Sequence, residues 1–145
     1  MESVLIPIAK LGTDDQRLFG GWAYVARMPD GTLVEDASGD VVDTPDAWDA
    51  LAKAFTRYAL VGRTGDYMHE DYGAADLVEL FICDAAKRGA LSLPEGVLPD
   101  GIYVSYKARE TPAGEKLWKG VKSGRIRALS IVGQGTRENL EETDG

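Results

Sequence analysis

Two segments written in the same grammar constrain the fold of this chain more than any other feature. TPDAWDALAKAFTRYALVG (44–62) and TPAGEKLWKGVKSG (111–124) each open on Thr-Pro and close on Gly. Thr44 and Thr111 can accept from N–H groups that the first helical turn leaves open, and Pro45 and Pro112 suit that turn because it needs no donor there. Asp46 sits at the positive end of the first helix dipole. Trp48, Leu51, Phe55 and Ala59 recur at spacings of three and four, which predicts one apolar face; Leu117, Trp118 and Val121 predict a second. Gly62 and Gly124 supply the stops.

Most of the remaining apolar sequence reads as strand. VLIPIAKL and FGGWAYVAR flank a GTDDQ turn, and the second alternates, with Trp22 and Tyr24 opposed to Ala23 and Val25. MPDG is a turn, because Pro fixes one dihedral and Gly supplies the positive one. TLVE reads as a short strand and DASGDVVD as a polar loop. DLVELFICD predicts a strand with Leu77, Glu79 and Phe81 on one face and Val78, Leu80 and Ile82 on the other. AAKRGALSLPEGVLPDG reads as a helical turn followed by a loop, then IYVSYKAR and RIRALSIVGQG as strands. Strands outnumber helices and do not alternate strictly with them. The expected class is therefore α+β: a mainly antiparallel β-sheet or barrel with two or three packed helices, not a doubly wound sheet. One domain is expected over residues 1–136, with an acidic, frayed tail over 137–145.

The 145 residues suffice for one core, and the 44% hydrophobic and 28% charged content fits a globular chain. A net charge of −8 argues against nucleic acid as a primary partner, since such binding needs clustered Lys and Arg. It suits a basic partner surface or plain solubility. No apolar run reaches the ~18 residues of a membrane span, and the N-terminus does not read as a signal peptide. Cytoplasm is the default expectation. Cys83 is the only cysteine, which excludes an intrachain disulfide and a cysteine-based zinc site. It reads as a buried small hydrophobe at the end of an apolar strand.

The chemistry narrows to few residues. His69, the only histidine, lies in GDYMHED among Asp66, Glu70 and Asp71. A solvated turn, a metal ligand and a general base are the three readings. Metal is the weakest, because no second His or Cys completes a sphere; no metal and no cofactor are expected. Ser130, in ALSIVG, stands in a strand apolar on both sides. It is either a buried hydroxyl or a nucleophile on a rigid element, and a serine nucleophile needs an adjacent base. Only His69 can be that base near neutral pH. No GxSxG elbow is present, and FGGWA and GQG match no phosphate loop. Glu79 in LVELFI is a carboxylate inside an apolar strand, costly to bury unless paired; Arg125 or Arg127 would be its ordinary partner.

The order of motifs adds a resemblance. FGGWAYV, GDVVDTPDAWDALAKAF, R-x-G-D-Y-M-H, ADLVELFI, LPDGIYVSYKA and LWKGVKSGRIRALSIVGQGTRE follow one another over residues 18–138. This order resembles the XkdF-like serine proteases of tailed phages and prophages, within the prohead, or capsid maturation, protease group. That group is similar in fold to the herpesvirus assembly protease. The resemblance implies Ser130 as nucleophile and His69 as general base. It implies scaffold and capsid proteins as substrates, the bacterial cytoplasm within the assembling procapsid as location, and a homodimer as the route to activity. The third triad member is open between Glu79, which matches a Glu in the same strand of the pattern, and Glu138, Glu141 or Glu142 of the tail. Backbone N–H groups near Gly133 and Gly135, or Arg137, would form the oxyanion site. The competing reading is a non-catalytic assembly module that keeps the protease fold.

Overall fold

Three long antiparallel strands make the body of the molecule: β3 (Leu18–Arg27), β5 (Ala75–Cys83) and β6 (Asp100–Ala108), with β6 between the other two. The computed structural model describes residues 4–13, 16–36, 39–62, 64–66, 73–94 and 96–131. Four short strands extend the body: β1 (Val4–Pro7), β2 (Lys10–Leu11), β4 (Thr64–Asp66) and β7 (Ala128–Ile131). The order across the sheet is β1-β7-β4-β5-β6-β3-β2, and every pairing is antiparallel. Three helices pack with it: α1 (Pro45–Arg57), α2 (Ala85–Ala90) and α3 (Pro112–Ser123). The class is α+β. Of the two arrangements expected from the sequence, the sheet is the one adopted; it does not close into a barrel.

The sheet nonetheless curls far. Its two edge strands, β1 and β2, belong to one N-terminal segment and are separated only by Ile8 and Ala9. Ile8 N–H donates to the Arg127 carbonyl at 2.9 Å, and Ala9 N–H donates to the Gly20 carbonyl at 2.7 Å. The segment thus touches both ends of the strand order within two residues. Gly21 makes this possible: a Cβ there would overlap the Pro7 carbonyl. FGGWA is a place of close backbone approach, the usual meaning of glycine inside a strand.

Both Thr-Pro helices form as the capping logic dictates. The Thr44 hydroxyl accepts from Ala47 N–H and the Thr111 hydroxyl from Gly114 N–H, each at 3.1 Å. Gly124 ends α3 in the left-handed region, with φ of 79°, as a C-cap glycine does at little steric cost. The first helix departs from expectation at its end. After Arg57 the helix widens into a π-helical turn, Tyr58–Gly62, so Tyr58 rather than Ala59 completes the inward face.

The core joins sheet and helices. Phe19, Ile102, Val104, Tyr106 and Ala108 from the strands meet Phe55 and Tyr58 from the α1 arm and Leu117, Trp118 and Val121 from α3. Tyr58 and Tyr106 are both buried, and their hydroxyls hydrogen-bond at 2.6 Å. Asp84 ties α1 to α2: one carboxylate oxygen caps Lys87 N–H and the other accepts from the Trp48 indole N–H at 3.0 Å. Arg17 anchors the entry to α3, donating to the Ala108 and Arg109 carbonyls and pairing with Glu115.

Two bulges change the expected faces. In β3, shifts between Trp22 and Tyr24 and between Val25 and Arg27 bury Ala26 where alternation alone puts Val25. In β5, a shift between Leu77 and Glu79 leaves Val78 57% exposed, while Leu77, Leu80 and Ile82 pack on the core. TLVE forms no strand; it contributes a single bridge, Leu33 to Arg27, after a turn held by Met28 N–H on the Thr32 carbonyl. Among the described residues no helix is long and apolar enough to cross a membrane.

Two outcomes follow from this packing. Gly21→Ala forces the β1–β3 crossing apart and is expected to lower stability by at least the 1–3 kcal/mol typical of overpacking, read as a shifted urea midpoint. Trp118→Ala empties the centre of the α3 contact and is expected to cost about 3–5 kcal/mol, seen in the same unfolding curves.

Candidate functional site

Ser130 lies on β7, whose backbone is paired on both sides. Its Cα partners are Leu5 of β1 and Asp66 of β4. A residue held by two neighbouring strands has little backbone freedom, which suits a group that must be presented in one geometry. The partner on the β4 side is informative because Asp66 belongs to the same GDYMHED motif as His69. His69 itself lies outside the described residues, as do Gly133, Gly135, Arg137, Glu138, Glu141 and Glu142.

The register does not bring Glu79 to Ser130. The row through Ser130 and Asp66 runs one residue beyond the Gly65–Ala75 pair, at the very start of β5. Glu79 stands about five residues further along, roughly 16 Å at ~3.3 Å per residue, and two strand spacings of about 4.8 Å to the side. No single imidazole spans that separation by hydrogen bonds at both ends. The carboxylate is also engaged elsewhere: the Ser105 hydroxyl donates to Glu79 Oε1 at 2.7 Å. The expected cost of burying Glu79 does not arise, because the bulge beside it turns it to the exposed face. Arg127, read from sequence as an ordinary partner for Glu79, donates instead to the Gly124 carbonyl at 3.1 Å.

Glu79 has a setting of its own. It lines a cleft of about 220 Å³ with Val78, Tyr103, Ser105, Gln16, Leu18 and the backbone around Gly12 and Gly20. Tyr103 stacks edge-on against Trp22, ring centroids 5.4 Å apart. Burial raises the Tyr103 phenol above its ordinary pKa, and the Glu79 charge raises it further. Sequence inspection missed this cleft. The signal available was the Tyr103–Ser105–Lys107 alternation of YVSYK, but nothing local tells which strand faces it.

Other candidates sort simply. Cys83 is fully buried, as its apolar strand suggests, yet its sulfur lies 3.8 Å from an Arg88 Nη that also pairs with Asp100 at 2.7 Å. Asp76 receives two hydrogen bonds from the Arg109 guanidinium. Among the described residues no group of three His, Cys, Asp or Glu is placed to hold a metal ion. Comparisons with protein-family models, curated proteins and solved structures return no match for this chain.

The Tyr103 environment carries a pH consequence. Its phenol is held neutral longer in the folded state than in the unfolded chain, where it titrates near 10. The folded form therefore keeps a proton that the unfolded form has lost, and stability falls as pH rises through and above about 10. Tyr103→Phe is expected to flatten that fall, measured as unfolding free energy between pH 9 and 11 relative to wild type.

Proposed function

We propose that this chain is a serine endopeptidase of the capsid maturation type, with Ser130 as nucleophile and His69 as general base. One observation carries the reading: the antiparallel register that sets Asp66 opposite Ser130. Paired Cα atoms in such a ladder are about 4.5–5.5 Å apart. Three residues of chain from Asp66 to His69 span at most about 11 Å. The covalent chain therefore limits the His69–Ser130 Cα separation to roughly 16 Å, a bound that permits contact between the two side chains although two strands and two helices separate them in sequence. The order of motifs described above supports the same reading.

The chemistry follows from those roles. His69 removes the Ser130 proton as the oxygen attacks the scissile carbonyl, then returns it to the departing amine. Water, activated by the same imidazole, releases the acyl group. N–H donors aimed at the carbonyl oxygen are the other requirement, and the residues just after Ser130 are the ones to supply them. No cofactor enters. Substrates are scaffold and capsid proteins inside the procapsid, in the bacterial cytoplasm, and local concentration or homodimerisation raises activity. With Glu79 out of reach, the third member of the triad is sought among Glu138, Glu141 and Glu142.

The displaced Glu79 also favours a second reading, an assembly module that keeps the fold without catalysis. Co-expression with the scaffold and capsid proteins of the same assembly separates the two. Wild type is expected to process the scaffold, and Ser130→Ala and His69→Ala to abolish processing, since loss of either group in such enzymes costs on the order of a millionfold in turnover. Unprocessed scaffold with wild type, or normal processing by both variants, supports the module.

A further inference from the structure

A second site lies away from Ser130, on the exposed side of the β5–β6–β3 body. Its parts are one carboxylate and a wall of apolar surface. Glu79 is the charged group among the described side chains lining the cleft, and Ser105 fixes its orientation through the 2.7 Å hydrogen bond to Oε1. Val78, 57% exposed, stands next to it because the β5 bulge interrupts the alternation there. Leu18 and the Tyr103 ring complete the wall, and Gln16 adds an amide at the rim. Bulges commonly re-aim side chains at functional positions. Gly20 stands in the row that joins Lys10, Gly20, Ser105 and Glu79 across four strands, and its lack of a side chain lets β3 lie close against the Val104 carbonyl and Ser105 beside the cleft.

A ligand that fills such a cleft is amphipathic along its length. It needs an alkyl stem for Val78, Leu18 and Tyr103, and a cationic head for Glu79. Lysine and arginine side chains have this build, laying apolar stems on apolar surface while the charge reaches a polar end. An aromatic ring beside the carboxylate favours a cation further. We propose that this cleft binds the side chain of a lysine or arginine in an extended segment of a partner protein. The overall charge of −8 favours approach of such a basic segment. The proposal goes beyond the protease reading and does not depend on it, since it concerns binding and involves neither Ser130 nor His69.

The test is an NMR titration of the full chain with the blocked peptide acetyl-Gly-Gly-Lys-Gly-Gly-amide, compared with the same peptide carrying norleucine in place of lysine. The lysine peptide is expected to shift the backbone signals of Val78, Glu79, Tyr103 and Ser105. Norleucine, which keeps the stem and loses the charge, is expected to bind roughly threefold to fivefold more weakly, the range that one exposed ion pair supports. Glu79→Gln retains an acceptor for Ser105 and is expected to reduce the lysine response by the same factor, while Lys10→Ala is expected to preserve it. Equal shifts from both peptides on the wild-type chain, no shifts from either, or a response that Glu79→Gln leaves intact overturns the proposal. The wild-type comparison decides the matter even if Glu79→Gln fails to fold.

Discussion

The position of Ser130 depends on a backbone crossing. Residues 4–11 pair with β7 through β1 and with β3 through β2, and two consecutive hydrogen bonds, from Ile8 to Arg127 and from Ala9 to Gly20, join the ends of the strand order. Only a residue without a side chain fits under Pro7, and Gly21 is that residue. Without the crossing, β7 would be held by β4 alone, through two residue pairs. A four-residue strand with one short partner is a weak platform for a nucleophile; with partners on both sides it becomes an interior strand. The far ends of the chain thus jointly build the element that carries the proposed chemistry.

The helices serve a different purpose. α1 and α3 cover one face of the body with Phe55, Tyr58, Leu117 and Trp118, and the buried Tyr58–Tyr106 contact gives that interface a directional component. A hydrogen bond between buried hydroxyls costs little when made and more when broken, so it favours one packing over near alternatives. The opposite face carries Trp22, Tyr103, Ser105 and Glu79, partly exposed, and is where a peptide has room to lie. The alternation of β6 and the bulge in β5 together give the body one packed face and one partly exposed face.

Helix caps are legible in the sequence because they act within a few residues, whereas the bulges set by strand pairing are not. Thr44, Thr111 and Gly124 act through neighbours three or four residues away, so the helices could be placed from the chain alone. The bulges at Trp22–Tyr24 and Leu77–Glu79 arise from pairing with β6, and no feature of either strand announces them. The same bulge makes Glu79 an exposed group held by Ser105 rather than a buried one in search of a charge. For the candidate site, Ser130 stands out in the sequence as a candidate by its strand and by the resemblance of the motif order. Its pairing with Asp66 is not legible there, because the β4–β7 register joins segments more than sixty residues apart.

The central claim is that Ser130 is an activated nucleophile, and covalent labelling tests it most directly. A fluorophosphonate probe reacts with serines whose hydroxyl is deprotonated by a neighbouring base. Applied to the chain while it is co-expressed and assembling with scaffold and capsid proteins, the probe is expected to form one adduct. Peptide mass spectrometry should locate that adduct on Ser130 and show it lost in His69→Ala. An unlabelled chain, or an adduct on Ser130 that persists without His69, would contradict the account.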